Sequence, residues 1–79
     1  MKIVELDIKL PYDRRGKILS KLCDRVRGKI RDIHLFPPTV SGISEIKMKV
    51  ETENVQKLLH DIRMIIKEGK VTLKILAET

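Results

Sequence analysis

Tryptophan is absent from this chain, and tyrosine, phenylalanine and cysteine occur once each. Each scarcity removes a class of function. The single cysteine, Cys23, cannot close an internal disulfide and has no second thiol for a zinc or redox motif, which fits a reducing compartment. Two aromatic rings cannot furnish the stacking platform of an RNA-binding sheet, which needs aromatic side chains on adjacent strands. Asparagine and glutamine are nearly absent while Ile, Lys and Glu are plentiful, a bias associated with heat-adapted proteins. No apolar run approaches the length of a bilayer-spanning helix. Serine, cysteine and histidine stand in no recognisable nucleophile context, and a short chain encloses little pocket volume, so no enzymatic activity is expected. The spacing of His34, His60, Asp32, Asp61 and Cys23 does not bring them together as metal ligands, so neither a metal nor a cofactor is expected.

What is present describes one small folded unit. At 79 residues the chain makes a single domain, 1–79, with a modest core. Apolar residues at 42% and charged residues at 35% place it among globular rather than disordered sequences. It starts directly on a strand-like pattern, without a charged-then-apolar leader, so the cytoplasm is the expected location. The net charge of +6 is unevenly spread. Arg14, Arg15, Lys17, Lys21, Arg25, Arg27, Lys29 and Arg31 crowd one stretch, whereas later basic residues are interleaved with acidic ones. One end of the domain should therefore be positive, which raises a phosphate-binding reading beside that of a solvated helix face.

Periodicity supplies the architecture. Val4, Leu6, Ile8 and Leu10 alternate with Glu5, Asp7 and Lys9, the signature of a strand with one buried face, and Pro11 ends it. From Asp13 the spacing becomes helical through Ile18, Leu19, Leu22, Cys23 and Val26, with Asp13 placed to cap the first turn. Gly28 is positioned for a left-handed helix end. Ile30, Ile33 and Leu35 predict a second strand, stopped by Pro37 and Pro38, and after a loop Ile46, Met48 and Val50 predict a third. Thr52 is a candidate cap for a helix carrying Val55, Leu58, Leu59, Ile62, Ile65 and Ile66, which Gly69 ends. Val71, Leu73, Ile75 and Ala77 close the chain with a fourth strand. The order βαββαβ predicts an α+β, ferredoxin-like split sandwich: a four-stranded antiparallel sheet with both helices on one face. The other face would carry mixed charges from Glu5, Asp7, Lys9, Asp32, His34, Glu45, Lys47, Lys49 and Lys74.

The turn from Tyr12 to Gly16 is the most informative segment. A glycine in the first turn of a helix leaves room for an anion to approach free backbone N–H groups at the positive end of the helix dipole. Asp13-Arg14-Arg15-Gly16-Lys17-Ile18-Leu19 resembles the Asp-Arg-Pro-Gly-x-Leu opening of ACT domains. Val26-Arg27-Gly28-Lys29-Ile30-Arg31-Asp32-Ile33 is similar to that family's helix end and entry to its second strand. Arg15 stands where the family usually has proline, and Lys29 near where it often has asparagine.

The resemblance implies a βαββαβ module that pairs with a second copy and binds an amino acid at the interface, regulating a partner protein. It also implies a ligand site comprising Asp13, Arg14, Arg15 and Gly16 of one copy with Gly28 and Lys29 of its neighbour. Arg15 would supply cationic attraction for a carboxylate or phosphate, Gly16 close backbone approach, and Asp13 a cap or a partner for a ligand amine. Unpaired sheet edges independently favour a homodimer or higher homo-oligomer. The expected function is a non-catalytic regulatory module for an amino acid or similar small anion. The alternatives are a basic dimer that binds nucleic acid and a structural subunit that has lost its ligand.

Overall fold

A computed structural model of the chain describes residues 1–26 and 29–78. The inward row Val4, Leu6, Ile8 and Leu10 runs through strand β1, Lys2–Pro11. A 3-10 turn, Tyr12–Arg14, leads into helix α1, Arg15–Arg25. Strand β2, Ile30–Leu35, and strand β3, Ile43–Thr52, form a hairpin; helix α2, Val55–Ile65, and strand β4, Lys70–Glu78, complete the chain. The sheet order is β2-β3-β1-β4 with every neighbouring pair antiparallel. This is a ferredoxin-like α+β fold. Among the described residues no helix is long and apolar enough to cross a membrane.

The core lies between the sheet and the helices because alternation on the strands and four-residue spacing on the helices aim apolar side chains at each other. Val4, Leu6, Ile8, Ile46, Met48 and Val50 are wholly enclosed, and Leu22 and Val26 of the first crossover and Leu58, Ile62 and Ile66 of the second close over them. Ser44 is the one described polar residue buried with them, and its Oγ donates to the Leu10 carbonyl at 3.2 Å. That bond removes the cost of an unsatisfied hydroxyl.

Several local expectations are corrected. Helix α1 starts at Arg15 rather than Asp13, because the 3-10 turn intervenes, and no side chain caps it. Asp13 is therefore not a cap. Thr52 ends β3, and Asn54 caps α2 by accepting the Lys57 N–H at 3.0 Å, while the Thr52 hydroxyl accepts the Asn54 N–H at 3.2 Å. Cys23 is exposed: Ile18, Leu22 and Val26 form the row facing the core, and Leu19 and Cys23 lie on its margin. The register shift between Ile3 and Val4 makes Leu76 an extra residue, so Ala77 sits opposite Ile3 on the outer face rather than with Ile75. A second bulge, at Arg31, brings both Ile30 and Ile33 to the core side despite their odd spacing. The expected cap at Gly28 lies outside the described residues.

The glycines also exchange roles. A Cβ at Gly16 would meet nothing within 4 Å. A Cβ at Gly69 would collide with the Lys9 carbonyl oxygen and crowd Ile66 Cγ2 and Leu10 Cβ, both at 3.2 Å. Helix α2 has already stopped at Ile65, with Ile66 extended. Gly69 thus serves to let the α2–β4 connection pass against β1. Urea denaturation should show Gly69→Ala losing about 1–3 kcal/mol and Gly16→Ala gaining about 0.4–1 kcal/mol.

Candidate functional site

The β1–α1 turn is tied to the β2–β3 hairpin loop. The Tyr12 N–H donates to the Gly42 carbonyl at 2.9 Å. Gly42 has φ +84, the left-handed conformation that a tight loop assigns to glycine. Its N–H bonds the Thr39 carbonyl at 2.9 Å, and the Thr39 N–H bonds the Ile43 carbonyl at 2.8 Å. Arg15 makes the second tie: its guanidinium donates to the Phe36 carbonyl at 3.3 Å and lies 4.5 Å from the centre of the Tyr12 ring. Lys47 Nζ stands 5.7 Å from the centre of the Phe36 ring. Both aromatic residues of the chain therefore sit at one end, each beneath a cation. Leu35, Val40 and Ile43 add exposed apolar surface there. The hairpin's share in this end was not anticipated, although the aromatic Phe36 before two prolines was a visible cue.

The expected site residues divide into three places. Arg15 faces the hairpin, whereas Arg14 lines a groove between α1 and α2 and its Nε lies 3.8 Å from Glu68 Oε2. Gly16 is exposed beside open space, and Asp13 is exposed. The Arg15 N–H is already used, donating to the Tyr12 carbonyl. Lys29 lies at the opposite end of α1, about 16 Å of helix away. There it lines a smaller groove of about 280 Å³ with Glu51, Asn54 and Lys57. Its carbonyl accepts the Glu51 N–H at 2.9 Å. One chain does not bring Lys29 to the turn. Gly28 lies outside the described residues.

The outer sheet face carries charge in complementary register. Glu5 lies opposite Lys49 and Lys74, Asp7 opposite Lys47 and Thr72, and Lys9 opposite Glu45 and Lys70. Opposite signs in cross-strand positions favour this pairing. Two like-charge juxtapositions depart from this: Lys9 lies directly opposite Lys70, and Asp7 lies diagonal to Glu45. A hydrogen bond to Asp7, then partial desolvation and the Asp7 charge, raise the Glu45 pKa above the ordinary glutamate range, against the opposing pull of Lys47 and Lys9. The Asp7 Oδ1 is enclosed and has no hydrogen-bond partner among the described residues.

The fold recurs in solved structures. An uncharacterized protein from Thermotoga maritima is 14% identical with a TM-score of 0.74, the match covering 96% of this chain and 98% of that one. A de novo designed protein is 14% identical with a TM-score of 0.65, covering 98% and 97%. A formyltetrahydrofolate deformylase from Pseudomonas putida KT2440 is 11% identical with a TM-score of 0.68; the match covers 96% of this chain but 29% of the deformylase. Identities this low establish a shared fold. No protein-family model matches the chain, and no curated protein matches it.

Glu45 holds its proton more tightly in the folded than in the unfolded chain. Its contribution is therefore fully present below the ordinary glutamate range and is lost as pH rises through the raised value. Glu45→Gln, which is neutral at every pH, should raise Tm near neutrality. That gain should vanish in acid when Tm is followed against pH.

Proposed function

We propose that the chain is a non-catalytic regulatory module that binds an amino acid or similar small anion at the β1–α1 turn, between two copies. The observation that carries this reading is the α1 start: it has no side-chain cap, Gly16 faces open space, and Arg14 and Arg15 stand beside it. A carboxylate there would meet the positive end of the helix and a guanidinium able to bind it in a forked geometry. The ACT resemblance of residues 13–19 and 26–33 adds the expectation of an effector at this turn. The shared fold accounts for 29% of a formyltetrahydrofolate deformylase chain, so a unit of this shape does occur joined to an enzyme.

The second copy answers a geometric need. Strand β2 is a sheet edge, and two such edges pairing antiparallel would set the Leu35 end of one against the Ile30 end of the other. Arg15 and Gly16 of one copy would then lie near Lys29 of its neighbour. Leu35, 49% exposed in the single chain, and Phe36, 38% exposed, would be covered. The ligand would act by favouring one pairing geometry over another, a difference that a regulated partner could sense.

Thermal-shift measurements with the common amino acids and small anions test the ligand. A ligand at about 100 times its Kd adds about 2.7 kcal/mol, so Tm should rise by roughly 10 °C or more for a domain of this size. Arg15→Ala should abolish most of that rise. Light scattering at micromolar concentration should give a dimer. Stabilisation by none of these compounds, or a monomer throughout, would overturn the reading.

A further inference from the structure

A concavity on the helical side runs from the β1–α1 turn along α1. It is an open groove of about 580 Å³ between α1 and α2. Its α1 wall presents Lys17, Lys21 and Arg25, four residues apart and hence in one row about 12 Å long, with Arg14 of the preceding 3-10 turn at its start. Its floor is apolar, formed by Leu10, Ile18, Ile65 and Ile66, and the exposed Met64 stands at the rim. Lys67 adds a cation from the far side. Among the described residues, Lys17, Lys21, Arg25 and Lys67 make no ion pair within the chain.

We propose that this groove docks an acidic amphipathic helix of a partner protein. A row of cations at helical pitch is complemented by carboxylates recurring at the same pitch, and the apolar floor receives the stripe between them. Met64 suits such a contact because its flexible, polarizable side chain adapts to irregular apolar surfaces. A second copy is a poor occupant. Helix α1 carries four cations and one acid, and α2 two cations and one acid, so neither offers an acidic face and two copies would bring like charges together. A nucleic-acid backbone would match the cations but leave the apolar floor unused. The groove shares Arg14 with the β1–α1 turn but needs no ligand there, and its occupancy is read with the turn empty.

Fluorescence anisotropy on the full chain tests this. The probe is a labelled peptide of about 18 residues with Leu in a helical stripe flanked by Glu. The controls are the same composition scrambled to break the stripe and a single-stranded oligonucleotide of about 20 bases. The stripe peptide should bind at least about tenfold more tightly than the scrambled one. The exposed pair of changes Lys17→Glu and Lys21→Glu should weaken it by a further tenfold or so, with Tm unchanged. Met64→Asp should weaken it as well. Equal binding of both peptides, no binding of the stripe peptide, indifference to the charge reversal, or binding of the oligonucleotide in preference would each overturn the proposal.

Discussion

The inward face of β1 sets the position of every other element. Val4, Leu6, Ile8 and Leu10 are enclosed because β3 and β4 pair with β1 on both sides and the helices close over the same row. A one-residue slip of β1 would exchange this row for Glu5, Asp7 and Lys9, so register is fixed by burial as well as by backbone pairing. The same strand controls both ends of the connection from α2. Gly69 passes so closely over the Lys9 carbonyl that β4 can start opposite Lys9 only if that residue has no side chain. At its far end β1 delivers Pro11 and then Tyr12, whose N–H fastens the hairpin loop. The candidate turn is placed by the core rather than by its own contacts.

The element order and inner faces were legible because alternation and helical spacing are written directly in the apolar residues. The departures came where one residue breaks a period. At Leu76 an extra residue in the strand moves Ala77 to the outer face, and at Arg31 another lets Ile30 and Ile33 share the inner one. A pattern of apolar residues records which side chains want burial, not where the backbone absorbs a step. Caps depend on geometry of the same local kind. Thr52 and Asn54 are both competent acceptors, and the length of β3 decides between them: Thr52 is still in the strand, leaving Asn54 at the helix start.

The site was legible in outline and divided in detail. Arg14 and Arg15 are adjacent in sequence, but consecutive residues on a helical path point about 100° apart. One therefore enters the groove toward Glu68 while the other reaches the Phe36 carbonyl. Gly16 looked like a close-approach position because it opens a helix, yet the contact that requires glycine is at Gly69, set by a neighbouring strand and invisible to local spacing. The positive charge concentrated between residues 14 and 31 was visible from the start. Its division between a hairpin-facing turn and a helical groove required the fold.

That division bears on how the two surfaces would communicate. An anion recruiting Arg15 must compete with the Phe36 carbonyl and the Tyr12 ring for the guanidinium. Any displacement would first loosen the tie between the turn and the hairpin, at the end of β2 that forms the sheet edge. Arg14, one step along, answers instead to Glu68 across the helices, through an exposed pair worth at most about 1 kcal/mol. A contact that weak transmits little coupling from the turn to the groove. Ligand control would therefore act on the β2 edge proposed to pair two copies, and the proposed groove contact would persist whether or not the turn is filled.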